Sequence, residues 1–279
     1  MELKILDHGA VLSILPDRKP ESHKGDYGRI LLLCGSRGYT GAAALAARGA
    51  LRCGAGLVYL GVPESIYAIM ARKLDEPIVF PLPDEGGMLA PDAPIGEKLK
   101  NMDAVLIGPG WGQSAGTLAA LKTVLTEFAG PVVVDADGIN LLAAHKDLLR
   151  GRKYPTILTP HMGEFARIGQ VKATREETAV AFAEEYGCIL LLKGHETLVT
   201  DGKSCYLNTT GNPGMAVGGS GDVLAGIIVS LLGQGLEPLT AAACGAWLHG
   251  AAGDLCAKEL GQYGMLPGDM VEALPRLLK

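Results

Sequence analysis

Aromatic residues are scarce in this chain: four Phe and two Trp among 279 residues leave little material for the stacking platforms that grip single-stranded nucleic acid. An excess of basic charge is missing too. The 25 Lys and Arg are outnumbered by 30 Asp and Glu, for a net charge of -5, so the electrostatic footprint of a nucleic-acid binder is absent and any phosphate site must be local. The six cysteines, Cys34, Cys53, Cys188, Cys205, Cys244 and Cys256, form no Cys-Xaa-Xaa-Cys pair and no short spacing to histidine. That argues against a zinc site and a disulfide framework, and fits free thiols in a reducing cytoplasm. Charges or glycines interrupt every apolar stretch before transmembrane length, and Met1-Glu2-Leu3-Lys4 lacks the start of a signal peptide. A soluble, cytoplasmic protein without membrane partners is expected. No internal repeat, low-complexity run or linker is present.

What is present is 48% hydrophobic residues, enough to bury a large core. A single domain over residues 1–279 is expected, opening on an irregular, Pro-containing segment 1–23. From there, short apolar runs alternate with helical patterns. Strands are read at Arg29 to Leu33, Leu57 to Gly61, Ala104 to Ile107, Val132 to Asp135, Thr156 to Leu158 and Ile189 to Leu192, with an Ala-rich helix over Gly41 to Leu51. This alternation predicts an α/β fold with a mainly parallel sheet covered by helices on both faces. Thr197 to Thr200 and Cys205 to Asn208, around Asp201-Gly202, read as a hairpin at the sheet edge. Val223 to Gln234, Leu239 to Leu260 and Gly268 to Leu278 read as a helical C-terminal block.

The strongest chemical feature is Asn212-Pro213-Gly214-Met215-Ala216-Val217-Gly218-Gly219-Ser220-Gly221-Asp222, leading into an apolar helix. Glycines here allow backbone amides to approach a phosphate, and a helix N-terminus favours an anion. Asp222 reads either as a helix cap or as a base that takes a hydroxyl proton in phosphoryl transfer. Leu106-Ile107-Gly108-Pro109-Gly110-Trp111-Gly112 is a strand running into glycines, a ligand crevice or a plain turn, and it does not match the dinucleotide fingerprint. Gly202-Lys203-Ser204 lacks the upstream glycine of a Walker loop and reads as a hairpin turn.

Polar residues also gather where strands end. Asp135, Asp137 and Asn140 follow one strand and Thr159-Pro160-His161-Met162-Gly163-Glu164 another, and in a parallel sheet such ends converge on one crevice. Acidic groups there, Asp135 and Glu164 among them, could orient magnesium through water. Asp137 reads as a helix cap, and His161 in isolation as a hydrogen-bonded structural residue. Lys193-Gly194-His195-Glu196-Thr197 brings a cation to a strand end, either for a nucleotide phosphate or as a solvated terminus. His249 and Asp254, in a small-residue helix, read as structure.

Taken in order, these segments resemble the NAD(P)H-hydrate dehydratases, a branch of the ribokinase-like superfamily. The likeness runs from Lys24-Gly25-Asp26-Tyr27-Gly28 through Thr40-Gly41-Ala42-Ala43, Gly54-Ala55-Gly56-Leu57-Val58, Gly108-Pro109-Gly110, Asp135-Ala136-Asp137-Gly138-Ile139-Asn140, Thr159-Pro160-His161-Met162-Gly163-Glu164 and Lys193-Gly194 to Gly218-Gly219-Ser220-Gly221-Asp222. Gly-Ser-Gly-Asp is shared widely in the superfamily, whereas the Thr-Pro-His-Met-Gly-Glu and Thr-Gly-Ala-Ala forms look specific to this branch. The resemblance implies a three-layer ribokinase-like fold and a lyase that repairs hydrated NADH and NADPH, (6S)-NADHX and NADPHX. The reaction would use ADP as co-substrate, release AMP and phosphate, and need Mg2+. It implies Asp222 as catalytic base and Ala42, Gly110, His161 and Asp222 as contacts to the hydrated cofactor. Lys193, Gly194, His195, Glu196, Thr197, Gly219 and Gly221 would contact the nucleotide. A homo-oligomer and a separate epimerase are also expected. The rival expectations are an ATP-dependent vitamin-precursor kinase of the same superfamily and a non-catalytic nucleotide sensor.

Overall fold

Strands whose residues are apolar in succession must hide both faces, and here they do. In β2 (Arg29–Leu33) Ile30 and Leu32 point into one buried cluster while Leu31 and Leu33 point into another, the period-two division of a sheet sandwiched between helices. The computed structural model describes residues 2–279. In chain order the elements begin with β1 (Leu3–Lys4), α1 (His8–Ile14), β2, α2 (Thr40–Arg52), β3 (Leu57–Pro63), α3 (Glu64–Lys73) and β4 (Ile78–Leu82). A small hairpin of β5 (Asp84–Glu85) and β6 (Met88–Leu89) leads to α4 (Ile95–Lys98), β7 (Ala104–Ile107), α5 (Ala115–Glu127) and β8 (Val132–Val134). Then come α6 (Asp137–Leu142), α7 (Asp147–Arg150), β9 (Thr156–Leu158), α8 (Met162–Ile168), α9 (Arg175–Tyr186) and β10 (Ile189–Leu192). The chain ends with β11 (Thr197–Thr200), β12 (Cys205–Asn208), α10 (Ser220–Gly233), α11 (Pro238–Leu260) and α12 (Pro267–Leu277).

One sheet runs in the order β1-β12-β11-β10-β9-β8-β7-β2-β3-β4. From β4 to β10 every neighbouring pair is parallel, so the carboxyl ends of these strands lie along one rim. Successive strands proceed outward from β2 in one direction and from β7 in the other. Adjacent strands whose connections part in this way leave a crevice between their loops, the usual place for a ligand. Helices α2, α3, α10, α11 and α12 cover one face; α4 to α9 cover the other.

The predicted layering is observed, with local corrections. Residues 1–23 are not irregular throughout: Asp7 caps α1 by accepting from the Ala10 amide at 2.8 Å, and β1 pairs in parallel with β12. The β11–β12 hairpin is therefore one strand in from the edge. At the other edge stands β4, which was not among the strands expected; it contains Pro81, and an edge strand tolerates a missing amide donor. The strand read as Val132 to Asp135 stops at Val134, and that read as Leu57 to Gly61 continues to Pro63. Most consequential is α10, which starts at Ser220 rather than Val223. Its cap is Gly219, at φ 101°, so Asp222 is a first-turn residue and not the cap.

Two contacts fix the rim. Helices α2 and α10 meet backbone to backbone: a Cβ on Gly49 would lie 2.8 Å from the Val223 carbonyl oxygen, and one on Gly226 would run into the Ala46 carbonyl. Between β7 and β8, Gly108 sits at φ 113° against the Asp135 carbonyl, where a side chain has no room. Gly108→Ala is therefore expected to destabilise the protein by about 2–5 kcal/mol, combining left-handed strain with overpacking. Urea unfolding would measure it, and a loss under about 1 kcal/mol would contradict the packing described here.

Candidate active site

Strands β8, β9 and β10 run into Asp135, Thr159 and Lys193, and the parallel register brings these groups together. Asp135, the residue after β8, is almost wholly buried at 1% exposure. Its Oδ1 accepts from the Thr159 hydroxyl, after β9, at 2.7 Å and from Lys193 Nζ, after β10, at 3.0 Å. Glu164, in the first turn of α8, adds a second carboxylate 3.7 Å from the same ammonium. Burial would by itself lower the Lys193 pKa. The Asp135 and Glu164 charges, the Asp135 hydrogen bond and Asp222 outweigh it and hold the pKa above its usual value. Lys193 is thus a mostly buried cation held between acids, not the solvated strand terminus its sequence context also allowed.

His161 caps α8. Its Nδ1 accepts from the amides of Gly163 and Glu164 at 3.0 and 3.2 Å, while Glu164 Oε2 accepts from the His161 amide at 2.9 Å, a reciprocal capping box. An accepting Nδ1 leaves the ring proton on Nε2, which lies 3.6 Å from Glu164 Oε2 on a half-exposed side chain. The cap expected of Asp137 falls instead to Ala136. The Asp137 carboxylate accepts from the Gly112 amide at 2.8 Å, tying the loop after β7 to α6.

Asp222 faces this cluster from the first turn of α10. Burial pushes its pKa up, as do the Asp135 and Glu164 charges, while Lys193 pulls it down; the result is about 7 against an ordinary 3.8. A carboxyl that ionises near neutrality suits proton abstraction. Cys34, the residue after β2, lies within the field of Asp222 and Asp135, and burial followed by those charges raises its pKa. Asp222 therefore stands between the β2/β7 side of the rim and the β8/β10 side.

On the β8/β10 side opens a cavity of about 800 Å³, with His161, Gly221 and all of Lys193, Gly194, His195, Glu196 and Thr197 in its wall. Arg175, the first residue of α9, shapes that wall by donating to the carbonyls of Leu192, His195 and Glu196 at 3.1, 2.6 and 3.3 Å. On the β2/β7 side, the Gly35 amide donates to the Pro109 carbonyl and the Ser36 hydroxyl to the Gly110 carbonyl, each at 2.8 Å. A Cβ at Gly110 would lie 2.8 Å from that of Ala42. Ala42 and Gly110 are thus adjacent to each other but outside the cavity wall, as are Asp222 and Gly219. Gly219 turns toward Leu45 and Pro267.

The sequence reading missed part of the site. Asn208, Thr210 and Leu224 line the cavity without having been singled out, and His249, assigned to structure, lines it too. His249 Nε2 lies 2.8 Å from the Ser220 carbonyl oxygen and 3.2 Å from its hydroxyl. Asp254 accepts from the Gly211 amide and the Asn212 side chain at 2.9 and 3.0 Å, holding the segment that leads into the glycine-rich motif. The available signal was positional: both residues share α11, which packs on α10. Gly202-Lys203-Ser204 is the hairpin turn expected, closed by Asp201 Oδ1 accepting from the Lys203 and Ser204 amides.

The chain is similar to known proteins over nearly its whole length. A family model described as NAD(P)H-hydrate dehydratase matches residues 30–276. A bifunctional NAD(P)H-hydrate repair enzyme of Moorella thermoacetica is 46% identical over 277 residues, covering 96% of this chain and 52% of that protein. The chain spans about half the length of several curated relatives of this kind. An ADP-dependent (S)-NAD(P)H-hydrate dehydratase of Bacillus subtilis is 36% identical over 276 residues, covering 96% of this chain and 95% of that one. The crystal structure of an ADP/ATP-dependent NAD(P)H-hydrate dehydratase from Bacillus subtilis, co-crystallized with ATP/Mg2+, superposes with a TM-score of 0.84 at 32% identity, covering 99% and 98% of the two chains. The fold is ribokinase-like, and with a family model matching nearly its whole length the chain belongs to the NAD(P)H-hydrate dehydratase family.

Proposed function

We propose that this protein is an ADP-dependent dehydratase that returns hydrated NADH and NADPH to NADH and NADPH, releasing AMP and phosphate. The observation that carries this reading is the Asp222 carboxyl, raised to a pKa of about 7 at a glycine-rich helix start beside a cavity large enough for a nucleotide. Hydroxide leaves a ring poorly; a phosphorylated oxygen leaves readily once the ring nitrogen supplies electrons. Asp222 takes the proton of the ring hydroxyl, whose oxygen attacks the terminal phosphorus of ADP as the bond to AMP breaks. The amides at Gly219 to Gly221 stabilise the charge on the transferred group. The C–O bond then breaks, phosphate departs with that oxygen, the neighbouring ring carbon gives up a proton to the departing phosphate, and the dihydropyridine is restored. Ala42, Gly110 and His161 contact the hydrated cofactor, and Lys193 to Thr197, Gly219 and Gly221 the nucleotide.

Magnesium fits this site through water. No group of three His, Cys, Asp or Glu side chains among the described residues is arranged to hold an ion, and Asp135 Oδ1 and Glu164 Oε2 already engage Lys193. The remaining oxygen Asp135 Oδ2, which lies 3.9 Å from where a Gly221 Cβ would be, is free to anchor a hydrated ion, with Glu164 beside it. An ion held there would supply positive charge to the nucleotide phosphates.

The same reading treats residues 1–279 as one catalytic domain, takes it to be a homo-oligomer and leaves epimerisation to a catalytic unit outside these residues. It places the enzyme in the cytoplasm, where six buried free thiols stay reduced. Among the described residues no helix is long and apolar enough to cross a membrane.

The test supplies purified protein with hydrated NADH, Mg2+ and either ADP or ATP, and follows nucleotide cleavage and near-ultraviolet NADH absorbance together. Equimolar AMP, phosphate and NADH are expected with ADP. Nucleotide cleavage that leaves a stable phosphate ester and no NADH would overturn the reading in favour of a small-molecule kinase.

A further inference from the structure

We propose that His249 is a positioning residue that sets Ser220 as a hydrogen-bond donor into the cavity, where the Ser220 hydroxyl binds an oxygen of the nucleotide's terminal phosphate. This rests on the nucleotide reading above. His249 lies on α11, Ser220 is the first residue of α10, and both form part of the cavity wall. A carbonyl oxygen can only accept, so the 2.8 Å approach of His249 Nε2 to the Ser220 carbonyl puts the imidazole proton on that nitrogen. The same protonated nitrogen is 3.2 Å from Ser220 Oγ and cannot accept from it. The hydroxyl is therefore an acceptor toward His249, and its hydrogen is left over.

Among the described residues no acceptor takes that hydrogen, although Ser220 is only 7% exposed. A buried donor without an acceptor is costly unless a ligand supplies one. The geometry has a second effect. Every described peptide is trans, so the Gly221 amide points opposite to the Ser220 carbonyl, and fastening the carbonyl to α11 fixes the amide as well. His249 exerts this without charge, because burial depresses its pKa to about 4 and the ring stays neutral near Lys193.

The experiment titrates ADP with Mg2+ into wild type, Ser220→Ala, His249→Leu, His249→Gln and the Ser220→Ala/His249→Leu double variant by calorimetry, with melting curves alongside. Each of Ser220→Ala and His249→Leu is expected to weaken ADP binding about 10- to 100-fold, the loss of one hydrogen bond to a charged group. The double variant should be no worse than the weaker single, since one residue acts through the other. His249→Gln, whose amide hydrogens reach the position of Nε2, should restore binding to within about 2-fold. Losses that multiply in the double variant, or a His249→Leu protein that binds ADP normally but melts earlier, would overturn the assignment. Should His249→Leu fail to fold, Ser220→Ala decides: unchanged ADP affinity refutes the proposal. A wild type that binds ADP yet restores no NADH refutes the reaction above and leaves the positioning role intact; one that binds no ADP refutes both.

Discussion

Asp222→Asn is expected to lower kcat at least about 10³-fold, the scale lost with a general base in phosphoryl transfer, and at the same time to raise the melting temperature. The two effects share one cause. In the native protein the Asp222 carboxyl ionises near pH 7, and in the unfolded chain near 3.8. Between those values the native state holds a proton that the unfolded state has released, so this group's contribution to stability falls as pH rises. Asparagine cannot ionise and escapes that loss. The gain should grow from about pH 4 to pH 7 and stay level above it. Linkage sets an upper limit of about 1.4 kcal/mol per pKa unit. Because the carboxylate keeps some solvent and the amide must still find partners, the expected gain at pH 8 is about 1–2 kcal/mol, roughly 2–8 °C. Melting curves of both proteins at pH 5 and pH 8, with turnover measured at pH 8, check it. An inactive variant that melts earlier than wild type at both values would mean that Asp222 stabilises the fold.

Lys193→Met carries the second large effect and works in the opposite direction on stability. It removes the cation held 3.0 Å from Asp135 and 3.7 Å from Glu164, leaving two buried carboxylates without a counter-charge. Breaking one side of a buried ion pair typically costs about 3–5 kcal/mol, and urea unfolding should show a loss of that order. The kinetic effect is separable. Lys193 is the group that lowers the Asp222 pKa, against the raising effects of burial, Asp135 and Glu164. Without it the base ionises at higher pH. If Asp222 acts ionised, wild-type activity climbs through about pH 7, and the acidic limb of the variant's profile should move up by at least about one unit, the size of a close charge's effect. Turnover at pH 7 should fall about fivefold or more and be partly regained at pH 8.5. A profile that drops uniformly, with its limb unmoved, would show that Lys193 does not set the charge on Asp222.

How much of this was legible beforehand depends on the length scale. Strands buried on both faces announce themselves, and Ala104–Ile107, Thr156–Leu158 and Ile189–Leu192 lie where their apolar runs place them. Short and marginal elements do not. β1 has two residues, too few for a period, and β4 contains a proline that reads as an interruption. At α10 the difficulty was chemical: glycine and serine look like loop, yet they form the helix's first turn, and this moves Asp222 from cap to inward-facing acid. The identities of the polar residues at strand ends were readable; their pairings were not. Asp135 and Lys193 are 58 residues apart, and only the parallel register makes them neighbours. His249 was read as a packing residue because its partner is a main-chain oxygen on another helix, which no side-chain pattern can reveal.

The seam where α2 and α10 touch through Gly49 and Gly226 bears on how two reactants could be brought together. One of these helices carries Ala42 and the other Asp222, and main chains in direct contact leave no slack for sliding or hinging between them. The pair acts as a fixed anvil whose spacing is set when the protein folds. The stretch from Thr209 to Val217, which borders the cavity and lies outside both helices, is not held by that seam.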